Sequence, residues 1–238
     1  RCLVSAAYNI HNSHRYHEIF DARQEPVDWQ NLPFDDAAWQ TATVFGAAET
    51  APWHKPVPRT IPLIIENPQP PVKVLDYGIA KDPVPQELKD IFQVAQMLDR
   101  LTFDKPSAGL FEPEPKLFAP LKKWHPLKIN PPTGQGQGIF LILDFGKNLL
   151  AIPEFTITGV NGAIIDLAYS ELLLDDKVSA IVHQGTINAD RIILRDGKLV
   201  HQINQPRGFR YMLIYIHDFG QPVTIEKITA NLVVYPKT

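Results

Sequence analysis

Cysteine is almost absent from this 238-residue chain, because Cys2 is its only one. A single cysteine excludes an internal disulfide and any cysteine-rich metal site. No apolar run reaches the roughly 18 residues that a transmembrane helix needs. The formal net charge is −3, so a basic surface for nucleic acid is not expected. A neutral or weakly charged ligand is compatible with this small net charge, and so is the absence of any ligand.

The sequence is compatible with more than one cellular compartment. Chains without disulfides occur in the cytoplasm, and they are also compatible with a periplasmic or secreted location. The first residue is Arg rather than Met, which indicates a processed or truncated start.

Proline divides the chain unevenly, since 18 of its 22 prolines precede Gly138. Proline removes a donor from a strand ladder, so long Pro-rich loops are expected in the first part and regular strands in the second. We therefore predict three segments. Residues 1–71 are an N-terminal β segment of the same or a small jelly roll, residues 72–138 a helix with a Pro-rich connection, and residues 139–238 a β-sandwich core.

The last hundred residues carry the clearest strand pattern. Short apolar blocks such as 140–146 and 163–171 alternate with glycine-containing turns about every ten residues. Short strands separated by regularly spaced turns are typical of an antiparallel β-sandwich or jelly roll, and they predict an all-β fold. The pair Asp196-Gly197 predicts a tight hairpin between the apolar runs 192–194 and 199–200.

One short helix is expected between residues 83 and 100. Leu88, Ile91, Phe92, Ala95 and Leu98 follow the spacing of a single buried stripe. The stretch 103–138 that follows is predicted to be loop, because its prolines argue against a central strand.

Histidine offers one metal candidate, at His11, His14 and His17. Such a spacing could bind zinc on one helical face, but structural zinc sites want four ligands with cysteine or carboxylate support. Solvated polar side chains are the favoured interpretation, and the metal content stays unknown. The sequence also lacks a nucleophile elbow, a Walker loop and a dinucleotide fingerprint.

Carboxylates in the predicted sandwich could in principle form the acid–base pair of a glycoside hydrolase. Asp144 and Asp166, however, lie in apolar strand contexts, where pairing with Arg191, Arg195 or Arg210 is the expected use. A cross-strand ion pair between Glu171 and Arg210 is also predicted. No residue is assigned a catalytic role.

Two tryptophan–histidine pairs are candidate carbohydrate platforms, namely Trp53-His54 and Trp124-His125. An exposed indole can stack on the apolar face of a sugar while the imidazole binds a hydroxyl. The alternative is that each tryptophan packs into the core or against a neighbouring domain, as large aromatic side chains do at interfaces.

The order of several motifs resembles that of a known enzyme family. Residues 34–39 (FDDAAW) are similar to a turn of the galactose-binding-like jelly rolls found in many glycosidases. Asp35 or Asp36 is expected to cap a short helical turn there, and Trp39 is then expected to point back into a core. Residues 58–63 (PRTIPL) look like a segment of bacterial α-L-rhamnosidases of glycoside hydrolase family 78. The succession 143–146 (LDFG), 159–163 (GVNGA), 169–171 (YSE), Arg191 and 208–211 (GFRY) resembles the β-sandwich that precedes the (α/α)₆ catalytic barrel in that family.

The resemblance implies that the chain is a non-catalytic β-sandwich region of an α-L-rhamnosidase-like hydrolase. Its partner would be the (α/α)₆ domain, which carries the inverting chemistry and would begin where this chain ends. Bracing that domain, with contact to rhamnose-containing glycans, is the leading hypothesis. A stand-alone carbohydrate-binding module is the alternative, and a self-sufficient enzyme is a third hypothesis for which we expect no turnover. No cofactor is expected from the residues themselves. The resemblance leaves calcium possible, because some family members have a calcium-dependent rhamnose-binding module, but no ligand position of that module is assigned to a residue of this sequence.

Overall fold

The computed structural model describes residues 3–5 (backbone alone), 17–52, 55–84, 87–88, 90–104, 108–182 and 185–235. The described helices are a 3₁₀ turn at Ala22–Gln24 and α1 at Ile91–Arg100. The strands are β1 (Leu3–Ser5), β2 (His17–Asp21), β3 (Ile65–Gln69), β4 (Lys73–Lys81), β5 (Thr102–Phe103), β6 (Phe111–Glu112), β7 (Leu127–Ile129), β8 (Gln137–Gly159), β9 (Ile164–Ser170), β10 (Ile181–Val182), β11 (Thr186–Ile187), β12 (Ala189–Ile193), β13 (Gly197–Gln202), β14 (Arg207–His217) and β15 (Val223–Val234).

Strand β8 belongs to two sheets. Its first part, residues 137–144, pairs with β4 and β14, whereas residues 151–159 pair with β13 and β15. We call the first set sheet A, in the order β1-β2-β12-β9-β14-β8-β4-β5, and the second set sheet B, which contains β13, β8, β15, β7 and β6 with β3 beside β15. The strand crosses between them near Gly146, whose φ of 82° is one that glycine adopts readily.

Alternation along the strands of sheet A explains why its sequence is apolar on both faces. Ile139, Leu141 and Leu143 point into the core between the sheets, whereas Phe140 and Ile142 belong to a second core on the other face. Successive side chains of a strand point to opposite faces, so a strand covered on both sides needs apolar residues at every position. The chain is thus an antiparallel β-sandwich with a helix added outside sheet A, and the predicted all-β class is confirmed.

Helix α1 covers the outer face of sheet A. Asp90 caps it by accepting a hydrogen bond from the amide of Gln93 at 2.9 Å, and the caps of helices favour such carboxylates. The predicted stripe is confirmed for Ile91, Ala95 and Leu98, which are buried against the sheet. Phe92 was expected in this stripe but lies 43% exposed, because the helix begins at Ile91 and turns that position outward.

Two local predictions were wrong. The Asp196-Gly197 turn exists, with a φ of 88° at Gly197, but it does not close a hairpin. Strand β12 before it pairs with β9 and β2, whereas β13 after it pairs with β8 in sheet B. The turn therefore carries the chain from one sheet to the other.

The Pro-rich stretch 103–138 also contains more structure than a loop. Its short strands β6 and β7 pair with each other, and β7 continues sheet B beside β15. Their prolines lie outside the paired residues, so the ladder loses no donor.

The segment before β3 stands apart from the sandwich. Every described residue from 26 to 68 is exposed, except for Phe34, which is half-buried. The segment is fixed at its start, where the guanidinium of Arg195 donates a 3.2 Å hydrogen bond to the carbonyl of Glu25. It is fixed at its end by the pairing of β3 with β15.

Candidate functional site

Three carboxylates of sheet A each bind an arginine of the same sheet; Asp144–Arg210 and Asp166–Arg191 join neighbouring strands, whereas Asp190 of β12 reaches Arg207 of β14 across β9. The shortest contacts are 2.9 Å for Asp144–Arg210, 2.6 Å for Asp166–Arg191 and 2.6 Å for Asp190–Arg207. Each contact is bidentate, with two guanidinium nitrogens on the two carboxylate oxygens. The structural use predicted for Asp144 and Asp166 is confirmed.

These pairs oppose an acid–base role for the two carboxylates. Burial alone would raise the pKa of Asp144, but Arg210 and the amide of Gly146 hold that pKa below its usual value. Burial likewise acts on Asp166, and the charge of Arg191 overcomes it to lower the pKa. A carboxylate that stays ionised is a poor proton donor at neutral pH.

The predicted pair between Glu171 and Arg210 was wrong, because Arg210 binds Asp144 instead. Strand β9 ends at Ser170, so Glu171 follows the strand and does not take part in its pairing with β14. Strand β14 has an irregularity between Phe209 and Tyr211. Arg210 lies at that irregularity, where it reaches strand β8 rather than the end of β9.

His217 joins the Asp166–Arg191 pair at the end of β14. Its Nε2 lies 2.9 Å from Asp166 Oδ2, and its Nδ1 lies 3.0 Å from Asp218 Oδ2. Burial opposes the charge on the imidazole, but the hydrogen bonds to Asp166 and Asp218 raise its pKa to about 9. The imidazolium is thus held between two carboxylates.

This arrangement predicts a loss of stability on the alkaline side of neutrality. The pKa of His217 is about 9 in the folded chain against 6.5 for the free side chain, so the folded state binds more protons between these values. Its contribution is complete below pH about 6.5 and is lost as the pH rises through about 9. Urea unfolding across this range should show a falling free energy of unfolding in the wild type and a flatter profile in His217→Gln. His125→Gln, at an exposed position, is the control and should keep the wild-type slope; an unchanged slope in His217→Gln would contradict the assignment.

The predicted Trp124–His125 pair lies at a pocket of about 280 Å³. Trp124 is half-buried against the core between the sheets, and its indole N–H donates a 3.0 Å hydrogen bond to the carbonyl of Ile225. His125 is exposed at the same pocket. The indole therefore has a packing role, and its remaining surface faces the pocket.

The remaining candidate site residues are Trp53, His54, His11, His14 and His17. Trp53 and His54 lie outside the described residues, as do His11 and His14. His17 is buried, with its Nδ1 3.2 Å from the carbonyl of Ala189. Across the described ranges, no group of three or more His, Cys, Asp or Glu side chains converges to hold a metal ion.

A second pocket, which is mainly polar, was missed by the sequence reasoning. Trp29 lines a pocket of about 180 Å³ together with Asp28, Gln30, Asn31 and Arg195. Trp29 is 42% exposed, and its indole N–H donates a 3.0 Å hydrogen bond to Glu25 Oε1. A tryptophan among Asp, Gln and Asn was the available signal, but Arg195 completes the pocket from a distant part of the chain.

Trp39 was expected to point into a core, and this expectation was wrong. It is 50% exposed and contacts the rings of Trp29 and Phe34, at centroid distances of 6.2 Å and 5.3 Å. The turn before it forms as predicted, with Asp35 Oδ1 accepting the amide of Ala37 at 3.0 Å. The turn lies outside the sandwich, so the indole packs on its own segment.

An exposed apolar strip precedes strand β3. We give this name to residues 57–65, in which Val57, Ile61, Leu63, Ile64 and Ile65 are between 45% and 80% exposed. Ile65 pairs with Val234 of β15, and the next residue, Tyr235, is 57% exposed. The strip and Tyr235 thus present apolar surface at the border of sheet B.

The described residues form a β-sandwich with one helix on the outer face of sheet A. Residues 137–234 match the family model of the bacterial alpha-L-rhamnosidase concanavalin-like domain. This part of the chain is therefore similar to a domain of bacterial α-L-rhamnosidases, in agreement with the resemblance seen in the sequence. No curated protein sequence matches the chain.

Solved structures with a similar fold include glycoside hydrolases. A GH78 family rhamnosidase of Bacillus sp. GL1 is 15% identical over 94% of this chain and 40% of that chain, with a TM-score of 0.68. A rhamnosidase from Klebsiella oxytoca is 13% identical over 72% of this chain and 30% of that chain, with a TM-score of 0.43. The first likeness is one of fold, and the chain spans 40% of that enzyme's length.

Among the described residues, no helix combines the length and the apolar character needed to cross a membrane.

Proposed function

We propose that this chain is a non-catalytic region that packs against and braces the (α/α)₆ catalytic domain of an α-L-rhamnosidase-like hydrolase. The observation that carries the proposal is the exposed apolar strip, residues 57–65. Contiguous apolar surface of this kind marks interaction sites on soluble proteins. A partner that covers the strip would remove this apolar surface from water.

The strip leads into strand β3, whose one pairing partner among the described strands is β15. An edge strand exposes unpaired backbone groups, and exposed edges are usually covered or interrupted. Pro68 interrupts the ladder within β3, which discourages further strand pairing. A partner would therefore meet the strip mainly through side chains, as a helical domain does.

Two comparisons support a further domain of an α-L-rhamnosidase as the partner. The family model concerns a domain of bacterial α-L-rhamnosidases, and the Bacillus sp. GL1 enzyme extends well beyond the part that this chain covers. A further domain of such an enzyme is available to bury the strip. The chain would hold the position of that domain and take no part in bond cleavage.

Binding to an isolated (α/α)₆ catalytic domain of a bacterial α-L-rhamnosidase tests the proposal. The tagged chain is titrated with that domain by calorimetry, and complex formation is checked by light scattering. The double substitution Ile61→Asp and Leu63→Asp should weaken binding at least tenfold, because it places carboxylates in an apolar interface without partners.

Leu172→Asp is the matched control, since Leu172 is 69% exposed and follows β9, in sheet A. It should leave the affinity within a factor of about two, as rim or distant positions do. Equal affinity of the double variant and the wild type, or no complex at all, would contradict the proposal.

A contact with carbohydrate through Trp124 and His125 is the second candidate function. The pocket of about 280 Å³ beside both side chains favours it, and the exposed imidazole could bind a hydroxyl. The indole N–H is already bonded to Ile225, so only the ring surface of Trp124 would serve a sugar. Titration with rhamnose, followed through the indole N–H signal of Trp124, tests this function; the absence of a saturable shift at millimolar rhamnose would contradict it.

A further inference from the structure

We propose that a cavity at the end of strand β9 binds a small organic ammonium ion that carries an apolar stem. The cavity has a volume of about 480 Å³, and the residues that line it include Glu171, Leu172, Leu174, Ile181, Asn188 and Gly208. We call it the β9-end pocket. It shares no lining residue with the pocket beside Trp124 and does not include the exposed apolar strip, so this proposal does not depend on the docking proposed above.

The β9-end pocket lies where strand β9 stops before its neighbour β14 does. Ser170 is the last residue of β9 and pairs with Tyr211, so the start of β14 extends past the end of β9. Asn188 reaches across this space. Its side-chain amide donates hydrogen bonds of 3.0 Å to the carbonyl of Tyr169 and 3.2 Å to the carbonyl of Gly208. These two bonds fix the amide and leave its Oδ1 oxygen as an acceptor.

The side chains that line the pocket offer acceptors and no unused donor. The hydroxyl groups of Ser170 and Ser179 each donate to the backbone carbonyl two residues further along the chain, at 2.6 Å and 2.7 Å. Both amide protons of Asn188 are used in the two bonds to carbonyls. The carboxylate of Glu171 only accepts. A ligand that donates hydrogen bonds therefore suits the pocket better than one that accepts them.

Glu171 supplies the only charge among the described residues that line the pocket. Within the described part of the chain its carboxylate forms no ion pair, because Arg210 binds Asp144 instead. Its Oε1 lies 3.6 Å from the position that a Cβ on Gly208 would take, and Asn188 also contacts the backbone of Gly208. The two acceptors thus lie at the same part of the pocket. An ammonium group can donate to both, whereas an anion would be repelled.

The rest of the pocket is apolar. Leu172 and Leu174 are exposed, and Ile181 and Val182 are half-buried beside them. Asp99 of helix α1 holds this wall in place by accepting the backbone amide of Ile181 at 3.1 Å. An apolar stem in contact with these side chains would remove their surface from water. The volume of about 480 Å³ lies within the roughly 300–1,000 Å³ of pockets for small molecules, which favours a small amphiphilic amine.

Titration with hexylammonium, 1-hexanol and hexanoate tests the proposal, because these ligands share an apolar stem and differ in charge. Each is added separately at neutral pH to millimolar concentration, and two-dimensional NMR follows the backbone amides and the side-chain amide of Asn188. We expect hexylammonium to shift the signals of the pocket saturably. It should bind at least about threefold more tightly than 1-hexanol, since only the ammonium group forms a charge-assisted hydrogen bond with Glu171. Hexanoate should give no saturable shift.

Two variants separate the contribution of the charge from that of the apolar wall. Glu171→Gln keeps the shape of the side chain and removes its charge, so it should lower the affinity for hexylammonium to that for 1-hexanol. The affinity for 1-hexanol itself should stay within a factor of about two. Leu174→Ala should weaken the binding of both ligands at least about threefold, because it removes part of the wall that both stems contact.

Asp176→Asn is the matched control, because Asp176 is an exposed carboxylate that follows β9 in the same connection but does not line the pocket. Asparagine also tolerates the φ of 61° at this position. The variant should keep the preference for hexylammonium. The absence of a saturable shift with hexylammonium would overturn the proposal. Equal affinities for hexylammonium and 1-hexanol in the wild type, or a preference that survives in Glu171→Gln or is lost in Asp176→Asn, would also overturn it.

Discussion

Asp190→Ala should lower the free energy of unfolding by about 3–5 kcal/mol, because it removes one partner of a buried ion pair. The side chains of Asp190 and Arg207 are 0% and 3% exposed, and two guanidinium nitrogens bind the carboxylate. Asp190 also accepts the backbone amide of Glu18 at 2.7 Å. The variant would leave a cationic side chain and a backbone donor without this carboxylate in the interior.

Urea unfolding monitored by fluorescence measures this change. Lys198→Ala is the control, since it breaks the ion pair with Glu226 at the surface, where Lys198 is 61% exposed. Exposed pairs contribute little to stability, so its midpoint should stay at the wild-type value. Similar midpoints for Asp190→Ala and the wild type would show that the buried pair is dispensable.

Phe209→Ala should cost a similar amount, about 3–5 kcal/mol, through the cavity it leaves between the sheets. Phe209 is fully buried, and its ring lies 5.2 Å from that of Phe145 and 5.3 Å from that of Tyr169. Fully buried neighbours cannot collapse into the space without moving the strands that carry them.

Phe92→Ala provides the comparison for the same chemical change at the surface. Phe92 is 43% exposed on helix α1, where alanine is also the better helix former. Its unfolding free energy should change by less than about 1 kcal/mol. A cost for Phe209→Ala no larger than that for Phe92→Ala would mean that the core between the sheets is not tightly packed.

Local sequence patterns were sufficient to indicate an antiparallel fold in the last hundred residues, but not the strands β4, β6 and β7 that precede them. The apolar block 140–146 and the glycine-punctuated segments after it identify an antiparallel fold, because strand alternation and turn chemistry are local properties. The turn after Asp144 is likewise local, because the amide of Gly146 donates a 2.6 Å hydrogen bond to the carboxylate of Asp144.

Features that depend on pairing between distant strands could not be predicted. The turn at Gly197 looks like a hairpin locally, but the partners of β12 and β13 lie in different sheets. Arg210 had two acidic candidates, Asp144 and Glu171, and only the register of β14 decides between them. Likewise, the pocket beside Trp29 needs Arg195, which is 170 residues from its contact at Glu25.

The passage of β8 through both sheets has a consequence for the way the sandwich unfolds. Each sheet has one part of this strand at its centre, between β4 and β14 in sheet A and between β13 and β15 in sheet B. Because both portions belong to one continuous strand, displacing β8 from one sheet also disturbs its hydrogen bonds in the other sheet. The two layers therefore form one cooperative folding unit, and partial opening is confined to segments outside it, such as the exposed stretch before β3.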